Sequence, residues 1–402
     1  MDHTAECLPE FSSRRDPEAP FDPPPERMRW LEQEGLPRVR LWNGGTAWVI
    51  SGYEEQRLLL ADPRISADDR HPNYPFFSPG SQAAGRTRTF LRMDGAEHSE
   101  HRRRFLPGFS ARRMRALVPR IEEITSSALD AMEEMGPPCD LMTAFALPVP
   151  SRVICELLGV AYADHEFFER DCVALTDINS SAEVASAAWR RILDYLAALA
   201  DAKAEDPADD LMSVLAHEMA AGRISREQCA SDGLLILLGG HETTANMIAL
   251  GSCLLLQHPG QLVRVRDGDP QDVARAVDEL MRFLSVAQSG RRRVATADIE
   301  VSGGVIRAGD GVIFAGDVAN RDPRVFEEPG RLDVGRQARY HLGFGHGPHR
   351  CPGESLGRLE LQVTIPALLR RFPGLCLDRP LGELRFRSDS MNYGVHEMPV
   401  SW

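Results

Sequence analysis

Near its C-terminal end the chain carries Phe344-Gly345-His346-Gly347-Pro348-His349-Arg350-Cys351-Pro352-Gly353, a glycine-studded loop with one cysteine, followed at once by the helix-favouring run Glu354 to Val363. A thiolate that ligates a metal needs such a setting. Glycines permit backbone shapes closed to other residues and let amides point at the sulfur, and the helix behind favours negative charge. A second reactive grouping is Gly239-Gly240-His241-Glu242-Thr243-Thr244, in the middle of the apolar stretch Gly233 to Leu256. Burying Glu242 without partners would cost roughly several kcal/mol, so it must reach solvent or have a polar cavity beside it. Gly239 and Gly240 favour the cavity, because they remove side chains where a flat ligand could approach. A mid-helix threonine can also bond back to a carbonyl and open the helix locally.

These groups need a large scaffold. The chain has 402 residues, 43% of them hydrophobic and 26% charged, enough to bury a sizeable core around a cofactor. A formal net charge of -13 argues against general nucleic-acid binding. The run Met1 to Cys7 shows no basic segment followed by an apolar one, and Leu234 to Leu238 is too short to span a bilayer, so a cytoplasmic protein without a membrane anchor is expected. Eight cysteines, at 7, 139, 155, 172, 229, 253, 351 and 376, are scattered singly, and only Cys351 sits in a ligand-like loop. Residues 1–27, rich in Pro and charge, read as an irregular arm. Val39, Leu41, the Asn43-Gly44 turn and Ala47 to Ile50 read as a hairpin. Amphipathic stretches follow at Met114 to Met135, Ala182 to Ala204 and Ser225 to Leu256, with a second strand-rich island from Ile299 to Phe314. With no repeat and no long linker, one mainly α domain with a minor β region is expected over residues 1–402.

The pattern Phe-x-x-Gly-x-x-x-Cys-x-Gly, met by Phe344, Gly347, Cys351 and Gly353, resembles the haem-binding loop of the cytochrome P-450 family, the haem-thiolate monooxygenases. The resemblance implies the cytochrome P-450 fold, haem b (iron protoporphyrin IX) as cofactor and Cys351 as the metal ligand, whose sulfur donates electron density that favours O–O cleavage. Phe344, Gly345 and Gly353 would shape the ligand loop, and Gly239 would face the cofactor from the central helix. The glycine-rich helical segment resembles the family's oxygen-activation motif, in which Glu242 relays protons through Thr243 and Thr244 is a bystander. Glu97 to Arg102 resembles the family's His-x-x-x-Arg helix. His98, Arg102, Arg293 and His349 would thereby bind the haem propionates. Glu279 and Arg282, with Arg331, resemble the family's Glu-Arg-Arg core, a buried structural charge network.

The resemblance further implies O2 and a small organic substrate, free or carrier-bound, that is hydroxylated or epoxidised in secondary metabolism. Electrons would come from ferredoxin and ferredoxin reductase, because no flavin or nicotinamide fingerprint is present; the basic cluster Arg102 to Arg104, Arg112, Arg113, Arg350 and Arg358 would dock that acidic donor. A nitric-oxide-reductase-like enzyme and a non-catalytic helper are the alternatives; Glu242-Thr243 argues against the first and Cys351 against the second. Asn73 to Phe77, Leu235, Gly239, Val286 to Ser289 and Met391-Asn392 are expected to face a medium-sized, partly polar substrate. Pro352 departs from the aliphatic residue of many relatives and removes one amide hydrogen beside the sulfur. Pro352→Leu is therefore expected to shift the haem reduction potential in a spectroelectrochemical titration, and equal potentials would refute that role.

Overall fold

The computed structural model describes residues 8–11, 14–83 and 88–402. Residues 1–7 and 12–13 of the expected arm, Cys7 among them, lie outside this set. What it describes of the arm is pinned down. A short helix, Pro25–Met28, carries Arg27, which is wholly buried and donates from Nη1 to Asp317 Oδ2 at 2.8 Å and to the Gln288 carbonyl at 2.8 Å. Arg15 lies 3.7 Å over the Tyr393 ring.

The helices begin where a side chain can take over the free amides of a first turn. Ser110 accepts from the Arg113 amide and opens Ala111–Met135; Ser181 accepts from Val184 and opens Ala182–Glu205. Ser225 accepts from Gln228 and opens Arg226–Leu256, a helix of 31 residues. At 1.5 Å per residue that is about 46 Å. The amphipathic face expected over Ser225 to Leu256 is not found: the helix runs through the core and is buried at most positions, including Asp232, Glu242 and Asn246. Among the described residues no helix is long and apolar enough to cross a membrane.

Five strands form the main sheet, in the order Arg38–Arg40, Thr46–Ile50, Gly311–Phe314, Arg291–Ala295 and Ile65–Ser66. The first pair is the expected hairpin, with Val39 opposite Ala47. At its turn only Gly44 takes a positive φ, of 82°, while Asn43 accepts the Gly45 amide through its side chain. Thr46–Ile50 then runs parallel to Gly311–Phe314, so the sheet joins early and late chain. Strand Arg291–Ala295 departs from the sequence expectation, since three successive arginines do not read as a strand; here Arg292 and Arg293 are buried.

Helix Pro270–Leu284 carries the charged core. Arg282 and Glu279 are both fully buried and paired in a fork, Nε to Oε2 at 2.7 Å and Nη2 to Oε1 at 2.8 Å. Arg282 Nη1 also donates to the carbonyls of Asn320 at 2.8 Å and Pro329 at 2.9 Å. The third member is not Arg331, as expected, but Arg336, whose Nε reaches Glu279 Oε1 at 3.2 Å. Arg331 turns outward to Glu328, with 60% of its side chain exposed. Both arginines lie in one irregular segment, and the Asp333–Arg336 turn decides which returns to the core. Removing one partner of a buried pair strands a charge, so Arg282→Ala or Arg336→Ala should lower unfolding stability by about 3–5 kcal/mol. Arg331→Ala should stay within about 0.5 kcal/mol of the parent. Urea unfolding checks both, and equal losses at Arg331 and Arg336 would restore the sequence assignment.

Candidate functional site

The cysteine loop closes on itself. The Gly345 amide donates to the Leu342 carbonyl at 2.9 Å, Arg350 to Gly347 at 3.1 Å, and Cys351 to Phe344 at 2.9 Å. Gly345 and Gly347 take φ of 78° and 71°, a region other residues avoid, and a side chain at 347 would strike the Leu60 carbonyl. The turn delivers Cys351 to the start of helix Glu354–Arg371. Burial pushes its thiol up, while the Gly353 amide, Arg102 and Arg291 favour the thiolate. Outside the loop, Glu354 receives Arg350 and Arg358, and Arg358 also pairs with Asp278.

Cys351 lies on the wall of a cavity of about 320 Å³ between this loop and the central helix. Phe344, Gly353, Arg102, Arg291 and His349 share the cysteine side; Leu235, Gly239, Gly240, Thr243, Thr244 and Met247 face it from the central helix. Gly239 opens directly onto space, whereas Gly240 packs against Ile154. Thr243 Oγ1 donates back to the Gly239 carbonyl at 2.7 Å. Thr244, read as a bystander, also lines the cavity. Glu242 does not. Its carboxylate turns away toward Thr176, Arg387 and Asn392.

At one edge, the His98 and His349 rings meet at a tilt of 42° with centroids 4.1 Å apart, and His349 Nε2 stands 3.5 Å from Asp94 Oδ1. Burial, then His349 and Arg102, pull His98 down to about 4; burial lowers Arg293 to about 10, with Asp94 opposing. Although burial opposes it, bonds from His349, Ser66 and Ala67 hold the Asp94 carboxyl well below the usual range. His98 Nε2, Arg102 Nη1 and His349 Nδ1 are buried without a partner among the described residues. Orphaned buried donors beside crowded cations call for an anion with acceptor oxygens. The two propionates of a haem would meet that need, with Cys351 as its thiolate ligand.

The structure thus brings His98, Arg102, Arg293, His349 and Cys351 into one neighbourhood, with Phe344, Gly345 and Gly353 in the loop. It does not bring Asn73 to Phe77 to the cavity, because the Tyr74 hydroxyl is bound to the Arg292 carbonyl and Asn73 to that of Gly309. Nor does it bring Gln288, Ser289, Met391 or Asn392 there; Val286 and Ala287 line it, with Phe90, Leu91, Ile154 and Ile236. The expected mixed lining is therefore largely apolar on the side away from the cysteine. Sequence reading missed Arg291, whose Nη2 donates to Leu342 and Gly343 just before the loop, and Glu360. Glu360 lines the cavity fully buried, its Oε2 unpartnered among the described residues, and burial pushes its carboxyl well up. An acid inside the apolar run Leu359 to Leu361 was the available signal for Glu360.

A helical body with a small mixed sheet, a cysteine on a glycine loop, and cationic donors around a slot beside it define a haem-thiolate protein. The chain belongs to the cytochrome P-450 family and is a P-450 monooxygenase. The family model for cytochrome P-450 matches residues 273–379. The cytochrome P-450 GfsF of Streptomyces halstedii is 43% identical over 402 residues, covering 99% of this chain and 97% of that one. Pentalenic acid synthase of Streptomyces avermitilis is 45% identical over 391 residues, covering 96% of each. The crystal structure of the mycinamicin VIII C21 methyl hydroxylase MycCI of Micromonospora griseorubida superposes with a TM-score of 0.90 at 35% identity, covering 98% of this chain and 99% of that one.

A lost charge-assisted hydrogen bond is worth about 1.5–3 kcal/mol. His98→Phe and Arg102→Leu should therefore each weaken haem uptake by the apoprotein by roughly tenfold or more, read as quenching of tryptophan fluorescence during titration. Unchanged affinity in both would remove these residues from the haem-binding set.

Proposed function

We propose that this protein binds haem b through Cys351 and inserts one oxygen atom of O2 into a small apolar-faced organic substrate, in a tailoring step of secondary metabolism. The overall balance is substrate C–H, O2, two electrons and two protons giving C–OH and water; epoxidation of an alkene has the same balance. The observation that carries this reading is the pairing of Cys351 with Thr243 across one cavity. Bound there, haem supplies the activation of dioxygen. The chain's own residues do the rest. Cys351 donates electron density through sulfur. His98, Arg102, Arg293 and His349 hold the propionates. Phe90, Leu91, Leu235, Val286 and Ala287 exclude water and orient a hydrocarbon face. Thr243 Oγ1 hands protons inward from Glu242. By their names, one relative makes pentalenic acid and another hydroxylates the C21 methyl of mycinamicin VIII, which supports a small organic substrate for this chain as well.

Ferredoxin and its reductase are the proposed electron donors, in the cytoplasm, with the whole chain as one catalytic unit. Of the expected basic cluster, Arg102 faces the cavity, while Arg104, Arg113 and Arg358 are spent on ion pairs. Arg103 and Arg112 stay exposed and form no ion pair among the described residues; the half-exposed Leu106 lies beside them. A cationic rim around an apolar spot suits an acidic redox protein.

The dithionite-reduced protein with carbon monoxide should show a strongly red-shifted Soret band, lost in Cys351→His. An unshifted band in the haem-loaded parent would overturn the thiolate assignment. Thr243→Ala should keep that band while raising hydrogen peroxide released per NADPH about tenfold, because removing a positioned proton donor costs 10²–10⁴-fold in proton transfer at most.

A further inference from the structure

Arg291, Arg292 and Arg293 open the strand Arg291–Ala295, which pairs antiparallel with Gly311–Phe314. Side chains alternate along a strand, so Arg292 points away from the other two and donates through Nη1 to the Pro75 carbonyl at 2.6 Å. Arg293 feels the field of Asp94, the carboxylate at the cavity edge. Arg291 goes to the cysteine side. It lines the cavity, and its Nη2 donates at 2.9 Å to the carbonyls of both Leu342 and Gly343, the two residues before Phe344. Two glycines leave room for it: a Cβ at position 316 would stand 2.7 Å from Arg291 Nη1, and one at position 345 would stand 2.9 Å from Arg291 Nε.

No carboxylate matches this charge. Arg291 forms no ion pair among the described residues, and Asp317, the carboxylate whose field reaches it, is already paired with Arg27 at 2.8 Å. Burial, then Arg293, lower its guanidinium to about 10, so it stays charged at neutral pH. Hydrogen bonds to carbonyls orient a cation without cancelling its charge. The neighbouring cations differ. Arg102 faces the cavity with a buried Nη1 that has no partner among the described residues, open to a propionate, and Arg293 and His349 share Asp94. The charge of Arg291 acts at the Cys351 sulfur, where it favours the thiolate.

We propose that Arg291 is a positioning residue for the oxygenation reaction: threaded between Gly316 and Gly345, it holds the start of the cysteine loop and places an unmatched positive charge near the thiolate, which raises the reduction potential of the haem centre. The inference rests on the reading of Cys351 as the haem ligand. Reduction brings one electron from the ferredoxin to the ferric centre and gives the ferrous one, so the site gains one negative charge with no bond made or broken. A fixed positive charge in a low-dielectric setting favours that product over the reactant.

The test is a spectroelectrochemical titration of the haem-loaded parent, Arg291→Met, Arg291→Gln and Arg291→Lys. Both neutral variants should favour the ferric form about tenfold more than the parent does, a fall of about 59 mV for one electron. Arg291→Lys, which keeps the charge and loses the paired bonds to Leu342 and Gly343, should stay close to the parent. The difference between parent and Arg291→Met should survive in about 1 M salt, where a Debye length of about 3 Å screens exposed charges far more than buried ones. Equal potentials in the parent and both neutral variants overturn the proposal. A fall in Arg291→Lys as large as in Arg291→Met overturns it as well, because the hydrogen bonds and not the charge then set the potential; so does a difference that vanishes in salt. Ferrous carbon monoxide spectra of the same samples separate this from the reading beneath it: red-shifted Soret bands throughout with equal potentials reject the role of Arg291, whereas an unshifted band in the haem-loaded parent rejects the thiolate ligand. Should Arg291→Met not take up haem, Arg291→Gln carries the comparison with Arg291→Lys.

Discussion

Arg282 has no surface in contact with water, yet three parts of the molecule converge on it. Its fork on Glu279 stiffens helix Pro270–Leu284, and its remaining nitrogen takes the carbonyls of Asn320 and Pro329. Asn320 in turn accepts the Leu342 amide through Oδ1 at 2.7 Å, and Leu342 is where the cysteine loop begins. A buried pair of this kind contributes little net stability over an apolar substitute, because its desolvation is costly. It does fix geometry, since a planar guanidinium with directed donors admits one arrangement of its acceptors. The position of Cys351 relative to the central helix follows from that arrangement.

The same logic is repeated with the sign reversed at the cavity edge. There the chain buries cations without enough carboxylate to match them: Asp94 pairs with His349 and is shared by His98 and Arg293, Arg291 feels only the field of Asp317, and Arg102 forms no ion pair among the described residues. Burial lowers these groups toward their neutral forms, which measures the mismatch. A dianionic cofactor would resolve it, and its binding would then stabilise the folded state of this region.

On the far side of the cavity the problem is access. Threonine and glycines face inward while the acid next to them faces out, because successive side chains on a helix diverge by about 100°. Arg387 and Asn392 hold that carboxylate at the margin, outside the apolar cavity.

Much of this was legible before any coordinates. The cysteine loop announced itself, since Gly345 and Gly347 occupy backbone angles that a side chain would forbid, and local chemistry of that kind is written in local sequence. The hairpin at Asn43-Gly44, the long helices, the His98-to-Arg102 spacing and the Glu279–Arg282 pair were visible for the same reason: each depends on residues within a turn or two. Other features depend on groups far apart in the chain. Arg336 rather than Arg331 completes the charge core, 57 residues from Glu279. The arginine strand is stabilised by the Pro75 carbonyl, 217 residues away. Glu242 is oriented by Arg387 and by Asn392, the latter 150 residues on. The sequence by itself determined the cysteine loop, the helical frame and the chemistry available to each segment. Which arginine turns inward, which wall the cavity shows to a substrate and where the acid points were decided only by tertiary packing, because a charged side chain goes where distant partners can offset its desolvation.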